Sequence, residues 1–231
     1  MKRTIPQPLE TIKDVLDLGT GNGRWAVEFA DENKNAINLI LEVDDIEQDW
    51  NRKAKFDLIH ARNLNGGIRW QHIIESSYRY LRPGGQLIIE NFEYPFSSAG
   101  NLEKFKRSYL YAWSSEVERA ARKNARPFET ISTLQNMLEK TGFQMEVSIE
   151  ELPIGAWPED AEQRSIGLGV KKFLNESFEG HSLFLLSEYG GYEEEDATLL
   201  CALARQNLSD ETLRGVLKWH RIIATKLPST L

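Results

Sequence analysis

The amino-acid sequence predicts an α/β fold in which a mostly parallel sheet is covered by helices on both faces. Short apolar runs typical of buried strands alternate along the chain with segments of helical periodicity. A glycine-rich turn joins the first such run to the first amphipathic segment. The chain has 231 residues, of which 41% are hydrophobic, and this is enough for one sizeable core. We therefore expect a single domain over residues 1–231.

The first strand, turn and helix form the most informative unit. The apolar run at residues 15–18 contains Asp17 and is followed by Gly19, Gly21 and Gly23 at alternate positions. Glycine permits positive φ and close backbone approach to a ligand, and the N–H groups of a helix N-terminus favour polar or anionic groups. The spacing differs from both the dinucleotide fingerprint and the P-loop. The unit is therefore either a cofactor site or a plain tight turn.

The predicted strands after the first one follow from short apolar or alternating runs. We expect them at residues 37–43, 56–60, 86–90, 143–149 and 221–226.

The predicted helices are marked by apolar residues three or four positions apart and by helix stops. We expect them at residues 24–33, 73–81, 102–124, 130–141 and 197–208. In the first helix Trp25, Val27, Phe29 and Ala30 are expected to face the sheet. The segment 102–124 is predicted as one helix with a single apolar face, formed by Phe105, Tyr109, Trp113, Val117 and Ala120. Proline and glycine at 83–85 and Gly142 end two of these helices.

Composition excludes several classes of function. The formal charge of −7 argues against a nucleic-acid partner, because phosphates require basic patches. The single Cys201 allows no internal disulfide, which favours a reducing compartment. No apolar run has the length of a membrane span, and the N-terminus lacks a signal-peptide core. We expect a cytoplasmic or nuclear protein without a membrane partner, and no metal, because no cluster has ligand spacing.

Five segments together resemble a known family. They are residues 15–32 (VLDLGTGNGRWAVEFADE), 43–50 (VDDIEQDW), 56–65 (FDLIHARNLN), 81–87 (LRPGGQL) and 152–158 (LPIGAWP). The sequence resembles class I S-adenosylmethionine (SAM)-dependent methyltransferases, and within them the fungal LaeA-like group. The resemblance implies a Rossmann-like sheet with an antiparallel last strand and SAM as cofactor. It also implies a small-molecule, secondary-metabolite substrate or a regulatory complex with a protein partner.

The resemblance is interrupted after the first helix. Residues 36–45 run without a break where the family has two strands, so the sheet is expected to be one strand short. Two alignments remain open. If residues 37–41 are the usual second strand, Glu42 is the acid that grips the ribose of SAM. If residues 38–43 are the usual third strand, Asp44 and Asp45 lie near the adenine.

The resemblance and the strand ends supply candidate site residues. For the cofactor these are Asp17, Gly19, Thr20, Gly21, Gly23, Glu42, Asp44 and Asp45. Because a hydroxyl or protonated amine acceptor needs a general base, His60 is the first candidate for catalysis and Glu90 the second. For the substrate we expect Glu93, Tyr94, Trp113 and Trp157, since aromatic rings suit apolar compounds. Each of these residues also has an ordinary structural interpretation, as a core or hydrogen-bonding residue.

Two further functions are compatible with the same fold. The shortened cofactor region predicts, as an alternative, a pocket that catalyses a cyclisation or rearrangement without methyl transfer. The second alternative is a non-catalytic interaction protein. Fold alone does not separate these, because function depends on the site.

Overall fold

The computed structural model describes residues 12–33, 40–50 and 55–228. Its centre is an open six-stranded sheet. The strands are β1 (Val15–Leu18), β2 (Phe56–Arg62), β3 (Leu81–Phe92), β4 (Ser97–Ser98), β5 (Phe143–Pro153) and β6 (Gly215–Lys226). The spatial order is β1-β2-β3-β6, with the short β4 and the long β5 both paired to β6.

The direction of the strands matches the prediction. β1, β2 and β3 are parallel, whereas β6 is antiparallel to β3. β5 is antiparallel to β6 and therefore points the same way as the first three strands. The antiparallel last strand is thus confirmed, and so is the predicted class of sheet.

Seven helices surround the sheet in the described part of the chain. They are α1 (Arg24–Glu32), α2 (Trp70–Tyr80), α3 (Leu102–Phe105), α4 (Tyr109–Lys123), α5 (Ile131–Thr141), α6 (Ala161–Leu185) and α7 (Glu194–Asn207). One π-helical turn (Leu186–Gly190) extends α6, and one 3₁₀ turn (Glu211–Leu213) precedes β6. α5 begins where the Thr130 side chain accepts from the Thr133 amide, and it ends at Gly142 with φ 100°.

The helices cover both faces of the sheet. On one face Trp25 and Phe29 of α1 pack against Leu58 and Ile88. On the other face α2 and α5 pack against the alternate residues of β2 and β3. A third cluster joins α4, α6 and α7 around Trp113. The predicted two-sided covering is therefore confirmed.

The predicted strand at residues 37–43 is wrong for the residues that can be compared. Residues 40–45 form no strand, and residues 37–39 lie outside the described residues. Ile40, Leu41 and Val43 are 75%, 63% and 109% exposed, so the apolar run is not buried against the sheet. Between β1 and β2, the described residues contribute no strand to the sheet.

Two details of the predicted helices are also wrong. The segment 102–124 is divided into α3 and α4, because the Ser108 side chain accepts from the Tyr111 amide and starts a new helix. Tyr109 is then 50% exposed and does not lie on the apolar face. In α1, Val27 is 46% exposed, since the buried side of the helix is formed by Trp25, Ala26 and Phe29.

The longest helix, α6, was not predicted. Its buried residues Val170, Leu174, Phe178, Ser182 and Leu185 are three or four positions apart, which is the period of an amphipathic helix. Several glycines and charged residues interrupt the pattern in the sequence. No helix among the described residues is long and apolar enough to cross a membrane.

Candidate functional site

The glycine turn between β1 and α1 lies at the carboxyl edge of the parallel strands. Gly19, Gly21 and Gly23 have φ values of 61°, 58° and 76°, which side-chain-bearing residues rarely adopt. The Gly23 amide donates to the Thr20 carbonyl at 3.0 Å and closes the turn. The glycines are therefore required by the backbone conformation itself.

The outer side of this turn is open. A Cβ placed on Gly21 or Gly23 would meet no described heavy atom within 4 Å, whereas one on Gly19 would lie 2.5 Å from Leu64 Cδ2. Beside the turn, Asp17 Oδ2 and Thr20 Oγ1 are buried and have no hydrogen-bond partner among the described residues. Buried polar atoms without partners are uncommon in proteins, so this pair makes the turn a candidate binding position for a polar group.

A row of buried charged and polar side chains crosses four neighbouring strands. His60 Nδ1 lies 2.7 Å from Asp17 Oδ1, and His60 Nε2 lies 3.3 Å from Glu90 Oε2. Arg221 Nε donates to Glu90 Oε1 at 2.6 Å. The side chains are between 2% and 12% exposed. We call Asp17, His60, Glu90 and Arg221 the polar row.

The charges of the polar row compensate one another. Burial raises the pKa of Glu90, but the hydrogen bond from His60 and the positive charge of Arg221 outweigh it, so the pKa of Glu90 is lowered overall. Glu90 is therefore ionised at neutral pH. Both bonds of His60 form together only when both ring nitrogens carry a hydrogen, because carboxylates only accept.

The structure places the two predicted catalytic residues inside the polar row. His60 is 2% exposed, and the Trp25 ring covers it with a centroid distance of 3.9 Å and an interplanar angle of 9°. Both ring nitrogens face carboxylates. This geometry favours a positioning role, in which His60 fixes the Asp17 carboxylate beside the glycine turn. Catalysis by His60 or Glu90 stays a prediction.

The predicted ribose and adenine acids lie in an exposed segment. Glu42, Asp44 and Asp45 are all exposed, and Asp45 accepts from the Glu47 amide and from Gln48. The neighbouring Glu47 holds this segment to the rest of the protein. Its carboxylate accepts from Arg126 Nη2 at 2.7 Å and from the Arg69 amide at 2.8 Å.

The predicted substrate residues do not all lie together. Glu93 and Tyr94 line an open cleft of about 330 Å³ next to the end of β3. Trp113 is 1% exposed and belongs to the core, where its indole donates to Ser182. Trp157 is half-buried and donates to the Gly215 carbonyl at 3.1 Å. The structure therefore brings only Glu93 and Tyr94 to one cleft.

Several polar residues of this region were missed by the sequence analysis. Arg221 completes the polar row, and Asn63, Asn91 and His220 have buried polar atoms without partners among the described residues. The sequence gives one usable signal, since Asn63 and Asn91 each follow a predicted strand. Nothing in the sequence shows that β6 brings His220 and Arg221 next to β3.

Together, the fold and the site define a Rossmann-like α/β protein whose glycine turn borders an open, polar space. The class is that of small-molecule-binding open sheets, in which ligands lie at the carboxyl ends of the strands. Within this class the chain belongs to the methyltransferase domain family, whose family model matches residues 2–147. The resemblance inferred from the sequence motifs is confirmed.

Curated relatives are fungal proteins. Methyltransferase pytC of Aspergillus terreus is 26% identical over 93% of this chain and 72% of that protein. The secondary metabolism regulator LAE1 of Gibberella fujikuroi is 27% identical over 95% of this chain and 73% of that protein. The secondary metabolism regulator laeA of Aspergillus fumigatus is 26% identical over 83% of this chain, which spans 56% of that protein.

A solved structure shows the same fold. Haemonchus contortus phosphoethanolamine N-methyltransferase 2, in complex with phosphomonomethylethanolamine and S-adenosylhomocysteine, aligns with a TM-score of 0.53 and 19% identity. The alignment covers 96% of this chain and 50% of that chain. The Rossmann-like methyltransferase fold is thus confirmed.

Proposed function

We propose that the protein transfers a methyl group from SAM to a small-molecule acceptor, with the cofactor held at the turn Gly19–Gly23. The observation that carries the proposal is the pair of unpartnered buried atoms, Asp17 Oδ2 and Thr20 Oγ1, beside an open glycine backbone. SAM, when bound, supplies an activated methyl group. The family to which the chain belongs and the names of its relatives support the same reaction class.

The residues of the turn have separate roles in this proposal. Asp17 Oδ2 accepts a hydrogen bond from the amino group of the cofactor, while His60 holds the other oxygen of the same carboxylate. Thr20 offers a hydroxyl that both donates and accepts. Gly21 lets the backbone approach the ligand, because no atom of the described residues lies within 4 Å of the position that a Cβ would take there.

Alignment of the two reactants accounts for the acceleration. Methyl transfer is a displacement at an already activated carbon, so holding the acceptor in line and excluding water contribute much of the rate. An uncharged hydroxyl acceptor additionally needs a base. We retain His60 and Glu90 as candidates for this role, and Glu93, Tyr94, Trp113 and Trp157 as candidates for substrate contacts.

A pair of glycine variants tests the cofactor site. Gly21→Val fills the open space at the turn, and Gly191→Val is a matched control, since Gly191 also has positive φ, at 83°, and open surroundings. Ligand binding raises the unfolding temperature by mass action. S-Adenosylhomocysteine should stabilise the wild type and Gly191→Val but not Gly21→Val. Equal stabilisation of both variants contradicts the site.

Substitutions of Glu42, Asp44 and Asp45 distinguish the two sequence alignments. Under the first alignment Glu42 grips the ribose, and Glu42→Ala should weaken binding of S-adenosylhomocysteine. Under the second, Asp44 or Asp45 lies near the adenine, and Asp44→Ala or Asp45→Ala should weaken it instead. A calorimetric titration of the three variants decides between the alignments, and no change in any of them removes these residues from the site.

A second candidate function is favoured by the exposed segment 40–45, because the family resemblance of the sequence implies part of the cofactor site there. The first alternative is a pocket that catalyses a cyclisation or rearrangement. The second is a protein that acts in a regulatory complex, as the names of its LaeA-type relatives suggest. An activity that persists after SAM is removed supports the first of these. A stoichiometric protein partner in fungal extract supports the second.

A further inference from the structure

A second group of polar side chains lies on the face of the sheet opposite to His60. Asn91 on β3 and His220 on β6 are register partners, and both are 0% exposed. Paired residues of adjacent strands point to the same face, so the amide and the imidazole lie side by side. Both polar atoms of Asn91 and both ring nitrogens of His220 lack a hydrogen-bond partner among the described residues.

Asn63 adds a further unpartnered oxygen to this group. It follows β2 with a left-handed φ of 56°, and its amide donates to the Glu90 carbonyl at 2.8 Å. Its Oδ1 is buried and has no partner in the described part of the chain. Such backbone conformations cost energy and cluster at functional sites. Asn63 and Asn91 line the same small cavity.

Asn65 shows the usual behaviour of a buried amide in that cavity. Its Oδ1 accepts from the Trp70 indole at 2.6 Å, and its Nδ2 donates to the Glu129 carbonyl at 3.4 Å. Asn63, Asn91 and the neighbouring His220 instead have five buried polar atoms without a partner among the described residues. Native proteins have only a few such atoms per hundred residues, so this concentration requires an explanation such as a bound polar group.

The walls of the cavity define the chemistry of that group. Phe92, Tyr94 and Phe128 line it, and the Tyr94 and Phe128 ring centroids are 4.2 Å apart. His181 also lines it, with a ring nearly parallel to that of Tyr94. Burial lowers the pKa of His181, so this imidazole is neutral at neutral pH. None of the described lining residues carries a fixed charge, which fits an uncharged polar group such as a hydroxyl.

The cavity is large enough for the polar group of a ligand but too small for the rest of it. Its volume of about 10 Å³ is sufficient for one water-sized group such as a hydroxyl. Tyr94 also lines the outer cleft of about 330 Å³, together with Glu93 and Lys218. That volume lies at the lower end of the range for ligand pockets. The hydroxyl therefore fits the inner cavity, and the body of the ligand fits the cleft.

The chain connects the inner cavity to the glycine turn through Leu64. Leu64, which stands between Asn63 and Asn65, contacts Gly19 so closely that a Cβ there would lie 2.5 Å from Leu64 Cδ2. A group held by Asn63 is thus one residue away from the wall of the proposed cofactor site.

We propose that Asn63 and Asn91 bind the acceptor hydroxyl of an aromatic substrate, whose ring lies in the cleft against Tyr94. This inference rests on the proposed methyltransferase function and names the substrate class. His220 lies beside Asn91 on the neighbouring strand, and burial lowers its pKa to about 4, so this imidazole is neutral at neutral pH. A hydroxyl is the matching ligand, because it both donates and accepts. When its oxygen takes the methyl group and S-adenosylhomocysteine leaves, the hydroxyl proton passes to the neutral imidazole of His181, which lines the same cavity.

The test uses 2-naphthol as the probe, titrated calorimetrically into the full chain in the presence of S-adenosylhomocysteine. Asn91→Leu should weaken binding of 2-naphthol by about 5- to 150-fold, the range expected when one buried hydrogen-bonding side chain is lost. Binding of S-adenosylhomocysteine should be unchanged. The unfolding temperature should stay the same or rise, because the substitution removes two unpartnered polar atoms.

A matched control lies on the same strand. Gln86 is a buried amide in the middle of β3, and its oxygen also has no partner among the described residues, but it does not line the cavity. Gln86→Met should leave binding of 2-naphthol unchanged. Asn63→Gly provides a second variant, which relieves the left-handed backbone and removes Oδ1. This variant should bind 2-naphthol more weakly than the wild type and should have a higher unfolding temperature.

The outcomes separate this inference from the function on which it rests. If S-adenosylhomocysteine binds but 2-naphthol does not, the subsite is overturned while the proposed function stands. Unchanged affinity of Asn91→Leu for 2-naphthol also overturns the subsite. A structural water is then the hydrogen-bond partner of Asn91. If S-adenosylhomocysteine does not bind, the proposed function fails and the substrate assignment fails with it.

Discussion

Glu47 anchors the segment 45–50, and its substitution by glutamine should destabilise the protein measurably. Burial raises the pKa of Glu47, but hydrogen bonds from Arg126 and Arg69 outweigh it and lower the pKa from 4.5 to about 2. At about 1.4 kcal/mol per pKa unit, the fold favours the ionised carboxylate by about 3 kcal/mol. The Arg69 and Arg126 side chains are 62% and 32% exposed, so solvent screens part of this energy. We expect Glu47→Gln to lower the free energy of unfolding by about 2 kcal/mol.

The effect should depend on pH in a definite direction. The folded-state pKa of Glu47 is lower than the unfolded one, so its stabilisation is fully present above about pH 4.5. It is lost as the pH falls from there toward about 2. Urea unfolding of the wild type and Glu47→Gln at several pH values measures this difference. The two proteins should differ at pH 7 and converge in acid.

The control for this prediction is an exposed ion pair. Glu103 and Lys106 are 73% and 42% exposed, and Glu103→Gln should leave the free energy of unfolding nearly unchanged. If Glu47→Gln is as stable as the wild type at pH 7, or if the difference grows toward acid pH, the reasoning about Glu47 is refuted.

Two further predictions concern the glycine turn and the polar row. Gly19→Ala and Gly21→Ala both force a side chain into left-handed backbone, at a cost of about 1–2 kcal/mol, but only Gly19→Ala also displaces Leu64. Gly19→Ala should therefore be the less stable of the two in thermal unfolding, and equal stability would disprove the contact. Arg221→Met leaves the Glu90 carboxylate buried without its cation and should cost about 3–5 kcal/mol at pH 7. The loss should be smaller near pH 4, where Glu90 protonates more readily in the variant, and a pH-independent loss would contradict this account.

The local signals in the sequence predicted the elements that are defined by local chemistry. The glycines at 19, 21 and 23 and the stop at Gly142 have the positive φ that their residue type favours. The strand expected at residues 37–43 shows the limit of this reasoning. Apolar residues indicate a strand only when a neighbouring strand covers them, and Ile40, Leu41 and Val43 are exposed.

The polar site residues were only partly predictable, because their partners come from distant parts of the chain. His60 was identified from its position at the end of a strand, but its contacts with Asp17 and Glu90 follow from sheet order. Arg221 lies 131 residues after Glu90 and could not be connected to it from the sequence. Asn91 and His220 became noticeable only because their burial leaves polar atoms without partners.

The most direct test of the central claim is a calorimetric titration of the wild-type protein with SAM. The glycine turn, with Asp17 Oδ2 and Thr20 Oγ1 beside it, predicts saturable binding with one SAM per chain. The absence of any binding heat up to high micromolar SAM would contradict the claim that this turn is a cofactor site.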